Sequence, residues 1–173
     1  GTNIVLQANA GDVQFDDAQI LAASSSPLFL HVNAAGAIYG SGFSIGSAGG
    51  ALEMLFNADS AGGNDGGGYI DFSNATLASN GGLIAMFGQS DQAIGFATGY
   101  ANGIGLVGVD IDSAGGDVVL SGHSTGGGSG TGYAGVRLDG TYIDSGGGNI
   151  DMFGTGAGAT SGVSASDGVI ASN

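Results

Sequence analysis

The feature that most constrains this chain is an apolar pattern that recurs about every 24 to 34 residues from one end to the other. An isoleucine or leucine precedes each turn-like stretch, and further apolar residues stand at fixed distances on both sides of it. Aligning the copies gives five columns of six positions, and eleven of the twelve isoleucines fall into them. The column that anchors the alignment contains Ile20, Ile45, Leu77, Ile111, Ile143 and Ile170.

Within each copy the apolar residues alternate with small or polar ones, as in Val136-Arg137-Leu138. This period of two is typical of a strand that is buried on one face, and no stretch keeps a helical period. Three kinds of corner separate the strands. The second corner reads Ser-x-Gly-Gly, as in residues 145–148, and the third varies in length and is rich in glycine. The first carries residue types that tolerate positive φ: Asp17, Gly42, Asn74, Gly108, Gly140 and Asp167.

These features predict an all-β fold, a right-handed parallel β-helix (β-solenoid) of about six coils with one variable, glycine-rich loop corner. Right-handedness is expected because crossovers between parallel strands favour that hand. The whole chain, 1–173, is interpreted as one solenoid segment. The expected coils are approximately 1–24, 25–48, 49–80, 81–114, 115–146 and 147–173.

The two ends of the sequence match each other in phase. Joining the last residues to the first would write IASNGTNI, which resembles LASNGGLI at Leu77–Ile84. We therefore expect one unit of a longer repeat protein, or a subunit that stacks head to tail by β-augmentation. Six coils at about 4.8 Å each predict a rise of about 29 Å per unit.

Charge narrows the range of partners. The chain has 15 acidic residues and a single basic one, Arg137, for a formal net charge of −14. Such a chain repels nucleic acid and anionic membrane surfaces. Its apolar runs, such as LIAMF at Leu83, are much shorter than a membrane-spanning helix requires. We expect neither nucleic-acid binding nor membrane insertion.

Two long phrases carry a family resemblance: AGVRLDGTYIDSGGGNIDMFGTG at Ala134–Gly156 and VDIDSAGGDVVLSG at Val109–Gly122. They resemble the repeats of filamentous-haemagglutinin-like bacterial exoproteins, the β-helical adhesins of two-partner secretion systems. The resemblance implies a secreted protein of the bacterial cell surface, a structural and adhesive rod or fibre without enzymatic activity. Its implied partners are neighbouring copies or repeats, and glycans on host or neighbouring cells.

Three outward acids form the main candidate site. Asp112 and Asp144 are expected at the same position of adjacent coils, with Asp110 one side chain away. Carboxylates about 5 Å apart could share Ca²⁺ or lie exposed to solvent. They could also act as a glycosidase pair, so a carbohydrate-active β-helix enzyme is the alternative function. No other cofactor is expected, because the glycine phrases carry no P-loop lysine and open no helix.

The remaining candidates are aromatic. Phe96, Tyr100 and Tyr133 lie in the long connections of the middle coils. Loops on a rigid scaffold often carry recognition, and aromatic rings suit the faces of sugars. These residues either pack the loops together or form a surface for a glycan or another partner. His31 is expected to point outward on an early coil, and His123 to lie in a loop three coils later. With no third ligand and no cysteine, they are not expected to form a zinc site. No column of threonines suggests an ice-binding face.

Overall fold

The computed structural model describes residues 2–60, 67–88, 97–99, 102–125, 134–156 and 169–172. All regular secondary structure in these ranges is β-strand. No described segment forms a helix that could cross a membrane.

The strands form three sheets. The first sheet contains β1 (Ile4–Ala8), β4 (Leu28–Ala34), β7 (Leu52–Ala58), β8 (Gly67–Gly68), β11 (Ile84–Gly88), β12 (Ala97–Gly99), β15 (Val118–Ser124) and β18 (Ile150–Thr155). The second contains β2 (Val13–Asp16), β5 (Ile38–Ser41), β9 (Ile70–Ser73), β13 (Ile104–Val107), β16 (Val136–Asp139) and β19 (Val169–Ser172). The third contains β3 (Gln19–Ala22), β6 (Ser44–Ser47), β10 (Thr76–Ala78), β14 (Asp110–Asp112) and β17 (Tyr142–Asp144).

The chain visits the three sheets in turn. β1, β2 and β3 belong to the first, second and third sheet, and β4, β5 and β6 repeat that order one layer further along. Successive layers pair in parallel, while the short strands β8 and β12 pair antiparallel at one edge of the first sheet. This is the parallel arrangement of a β-solenoid, and it confirms the predicted all-β, parallel class.

Register in the second and third sheets follows the predicted columns, with the exception of β19. In the third sheet Ile45, Leu77 and Ile111 lie opposite one another in successive strands, with Ile20 and Ile143 at the two ends. These side chains point into a continuous core, and those of the middle strands are fully buried. The alternation seen in the sequence therefore marks the buried face of each strand.

The sequence columns predict that one row of the first sheet contains Ile4, Leu28, Leu52, Ile84, Val118 and Ile150. This predicted register is wrong at two places. Ile84 lies opposite Met54 rather than Leu52, and Ile4 lies opposite Leu30 rather than Leu28. Both displacements are two residues, so the apolar side chains still point inward. Aligning the sequence copies cannot detect a shift of two residues, because such a shift preserves the alternation of inward and outward side chains.

Local contacts account for each displacement. In the corner before β11, Asn80 and Gly81 have positive φ, whereas Ala48 and Gly49 before β7 do not. The two corners thus follow different paths despite their similar sequences. At β1, the Asn3 side chain accepts a hydrogen bond from the Phe29 backbone N–H at 3.1 Å, and this contact accompanies the pairing of Ile4 with Leu30.

The predicted place of Ile170 is also wrong. Ile170 lies opposite Arg137 in the second sheet, and Val169 continues the column that ends in Val136. The sequence columns instead predict Val163 in the column of Val136, and Ile170 in the column of Ile143. Both alignments give alternating apolar residues. With Val169 in the column, however, the connection between β18 and β19 is similar in length to the three long connections before it. The phase match between the chain ends therefore has no counterpart in the strand order.

The first corner behaves as its residue types predict. Positive φ occurs in every described copy, at Asp17 (48°), Gly42 (65°), Asn74 (49°), Gly108 (61°) and Gly140 (56°). Asp167 lies outside the described residues. Asparagine and aspartate can replace glycine here because their short polar side chains tolerate this conformation.

The core holds a column that the sequence analysis missed. Phe43 and Val109 are buried just after the first corner, at a position filled by alanine in two other copies. Phe43 packs against two other rings of the core. Its ring centroid lies 5.4 Å from that of Phe15 and 4.9 Å from that of Phe72.

Candidate functional site

The strands β14 and β17 bring two of the three candidate acids together. Asp112 lies directly opposite Asp144 in the parallel ladder, and both side chains are exposed on the outer face of the third sheet. Asp110 is also exposed, but its opposite residue is Tyr142. The predicted stacking of Asp112 and Asp144 is therefore present in the strand register.

Each of these stacked carboxylates holds a corner of the backbone. Asp112 Oδ1 accepts a hydrogen bond from the N–H of Ala114 at 2.9 Å, and Asp144 Oδ1 accepts one from Gly146 at 2.8 Å. Ala114 and Gly146 both have positive φ. A carboxylate that accepts from the backbone two residues further on is a common way to stabilise a tight turn.

The neighbouring serines complete this corner. The hydroxyls of Ser79, Ser113 and Ser145 each donate to the carbonyl oxygen three residues on, which belongs to a glycine. The Ser79 hydroxyl also lies 3.2 Å from the Ser113 carbonyl oxygen, and Ser113 makes the same contact with Ser145. The Ser-x-Gly-Gly phrase is therefore a solenoid corner, as predicted.

This site does not fit Ca²⁺ well. Across the described residues, no group of three or more histidine, cysteine, aspartate or glutamate side chains could hold a metal ion. Two stacked carboxylates, each already accepting from an N–H group, supply fewer oxygens than the roughly six to eight that Ca²⁺ takes. Calcium binding by Asp110, Asp112 and Asp144 stays a prediction from the sequence.

The aromatic candidates cannot be placed. Phe96, Tyr100 and Tyr133 lie outside the described residues, so their proposed recognition surface also stays a prediction.

The structure reveals a second polar surface that the sequence analysis did not single out. On the outer face of the second sheet, the rings of Tyr39 and Tyr69 stack with centroids 6.4 Å apart and planes 27° from parallel. Asp71 lies opposite Tyr39 in the next strand. The outward positions lie between the predicted apolar columns. Aligning them sets Tyr39 opposite Asp71 and would have indicated this surface.

Arg137 lies two strands from Asp71, and Gly105 occupies the position between them. Burial by neighbouring groups raises the pKa of the Asp71 carboxyl, and the positive charge of Arg137 partly opposes that rise. Arg137 also forms an ion pair with Asp139, with Nη2 and Oδ2 3.0 Å apart.

The two histidines are far from forming a shared site. His31 Nε2 lies 2.6 Å from Glu53 Oε1, and its ring stacks on Phe29 with centroids 4.3 Å apart. His123 lies within β15 rather than in a loop, opposite Thr155. The loop position expected for His123 is therefore wrong, because β15 continues beyond its predicted apolar residues.

Comparison with known proteins gives no relative: no protein-family model, no curated protein and no solved structure matches this chain.

Proposed function

We propose that this chain is a non-enzymatic rod segment of a secreted bacterial surface adhesin or fibre. In this proposal it is a right-handed solenoid of about six coils with a variable loop corner, and further coils stack on both of its ends. The observation that carries the proposal is that, within the described ranges, every sheet ends in both directions along the stack on a strand with one neighbour.

At one end these edge strands are β1, β2 and β3, and at the other end they are β17, β18 and β19. In the two end strands of the first sheet, inward side chains are open to solvent. Ile4 is 42% exposed, whereas Leu30 opposite it is 1% exposed. Ile150 is 42% exposed, whereas Val118 opposite it is fully buried. One more coil on each end would remove this apolar surface from water.

Three of the six edge strands, β1, β3 and β19, also lack the charge and proline that usually prevent edge pairing. β1 reads IVLQA and contains neither a charged residue nor proline. Exposed edges of this kind are templates for another strand, and natural proteins normally blunt them with charge, proline or a covering segment. A neighbouring coil, from a second copy or from flanking repeats, is the occupant that fits the parallel ladder.

The extracellular location and the adhesive role rest on the resemblance of the repeats to filamentous-haemagglutinin-like exoproteins. The acidic surface and the absence of cysteine agree with such a protein, since neither favours a nucleic-acid partner or a thiol-based site. Glycans and the surfaces of host or neighbouring cells are the external partners that we propose.

The test is assembly of the purified chain. We expect elongated particles of constant width that lengthen with protein concentration, observed by electron microscopy and sedimentation, with a rung spacing of about 4.8 Å in fibre diffraction. Ile4→Lys should prevent lengthening, because it places a charge in the edge strand. Val107→Lys, at an exposed outward position of the interior strand β13, is the matched control and should not.

A wild-type chain that stays monomeric at all concentrations would contradict stacking between copies. Assembly that Ile4→Lys and Val107→Lys reduce equally would show that the contact is lateral rather than end to end.

A further inference from the structure

The outer face of the second sheet contains a groove of about 390 Å³. It crosses β2, β5, β9 and β13, and we call it the outer groove. Its walls include Asp16, Tyr39, Ser41, Asp71, Ser73 and Val107. All these residues belong to described strands, and none takes part in the acidic corner of the third sheet.

One wall of the outer groove is aromatic and held in place. Tyr39 is half-buried, stacks on Tyr69, and donates a hydrogen bond from its hydroxyl to Gln14 Oε1 at 3.3 Å. Ring stacking and the hydroxyl contact restrict the orientation of Tyr39 before any ligand arrives. A preorganised ring face is a favourable surface for an apolar ligand face, because little side-chain entropy is lost on binding.

The other wall is polar and regularly spaced. Ser41 and Ser73 lie opposite each other in adjacent strands, and Asp16 continues the same row in β2. Parallel strands are about 4.8 Å apart, which is close to the length of one hexose unit in an extended glycan. The row thus presents hydroxyl and carboxylate groups at nearly the spacing at which a glycan presents its own hydroxyls.

Charge restricts the ligand further. Asp16 and Asp71 both line the outer groove, whereas Arg137 is not among its lining residues and is paired with Asp139. The groove therefore carries negative charge within a chain whose net charge is −14. Anionic polymers such as polyuronates and sulfated glycans are repelled from it.

We propose that the outer groove binds a neutral oligosaccharide. The apolar face of one hexose packs on the Tyr39 ring, and hydroxyls of that sugar and its neighbours bond to Ser41, Ser73 and Asp71. This site is distinct from the aromatic loops considered above, and it does not depend on stacking of the chain, because every group that forms it belongs to one copy.

The test is titration of the single chain with neutral hexasaccharides, namely cellohexaose, maltohexaose and xylohexaose, followed by calorimetry and by NMR. Hexagalacturonate serves as the acidic counterpart. We expect weak but measurable binding of at least one neutral probe, and none of hexagalacturonate. Tyr39→Ala should weaken binding about two- to tenfold, the range that corresponds to about 0.5–1.5 kcal/mol for a contact between aromatic rings. Tyr142→Ala, at an exposed tyrosine of the third sheet, is the matched control and should leave binding unchanged.

Tyr39→Phe should retain most of the affinity, because the ring face remains. Ser73→Ala should weaken binding severalfold without removing a core side chain, which keeps the test valid if Tyr39→Ala unfolds. The proposal is overturned if no neutral probe binds, if hexagalacturonate binds as tightly as the neutral probes, or if Tyr142→Ala weakens binding as much as the groove variants do.

Discussion

The hydroxyl of Ser113 lies 3.2 Å from the carbonyl oxygen of Ser145 in the next layer of the solenoid, while it also donates to the carbonyl of Gly116 in its own corner. Ser113 is fully buried. The Ser145 carbonyl also accepts from the Gly115 N–H at 2.7 Å, so the Ser113 hydroxyl, which has a single proton, serves mainly the Gly116 carbonyl of its own corner.

Ser113→Ala is expected to lower the free energy of unfolding by about 1–3 kcal/mol, because it leaves a buried carbonyl without its donor. Urea denaturation followed by circular dichroism measures the change. Ser44→Ala, on the outward side of β6, is the matched control and should stay within about 0.5 kcal/mol of wild type. Equal effects of the two substitutions would show that the corner hydroxyl contributes nothing.

Asp112→Ala is expected to lower the free energy of unfolding by about 1 kcal/mol through loss of the acceptor for the Ala114 N–H. Because this bond lies within the chain, the loss should be the same in EDTA and in calcium chloride. Asp151→Ala, at an exposed outward position of β18, is the control. A distinctly larger loss in calcium would instead establish the calcium site predicted from the sequence.

Two glycines allow steric and conformational costs to be separated. Gly140 has φ of 56° and open space around its Cα, so Gly140→Ala should cost about 1–2 kcal/mol through the left-handed conformation alone. A methyl group on Gly116 would overlap the carbonyl of Gly82, so Gly116→Ala should cost about 3 kcal/mol or more. Thermal and urea unfolding of the two variants would reveal the difference. The reverse order would contradict the close packing of the serine corners.

Asp71 predicts a pH dependence of stability. Its pKa is raised above the ordinary value of 3.8, so the folded state favours the protonated carboxyl. The stability contributed by this group is present below pH 3.8 and is lost as the pH rises through the raised pKa. Asp71→Asn should therefore increase the free energy of unfolding at pH 7 relative to wild type, and have little effect at pH 3.

Arg137 opposes that loss, so Arg137→Gln should lower stability at pH 7 more than at pH 3. Since Arg137 also pairs with Asp139, its effect on Asp71 is the part that disappears when Arg137→Gln is introduced into the Asp71→Asn protein. If Arg137→Gln lowers the free energy of unfolding at pH 7 equally in the wild-type and Asp71→Asn proteins, the whole effect comes from the lost pair with Asp139.

The sequence predicts the solenoid layers well where side-chain chemistry is decisive. Burial columns follow from period-two alternation, and the first corner follows from the few residue types that tolerate positive φ. Register in the first sheet is not predictable in this way, because a shift of two residues keeps every inward side chain inward. The place of Ile170 shows the same limit, although equal connection lengths would have favoured the observed alignment.

The candidate sites show a different limit. The stacking of Asp112 and Asp144 follows from their columns, but their hydrogen bonds to corner N–H groups depend on backbone geometry that the sequence does not display. The Tyr39–Tyr69 pair cannot be predicted from the inward residues of each strand, because both rings lie on the outer face. Outward residues become informative only when neighbouring strands are aligned with one another.

The two-residue displacement between β7 and β11 has a consequence for engineering this chain. Layers that pair without displacement, such as β11 with β15, could receive a duplicated layer between them with no change in side-chain alignment. A layer inserted between β7 and β11 would instead have to reproduce the offset that sets Ile84 beside Met54. The layers are therefore not interchangeable building blocks, and the order in which they follow one another is part of what the fold encodes.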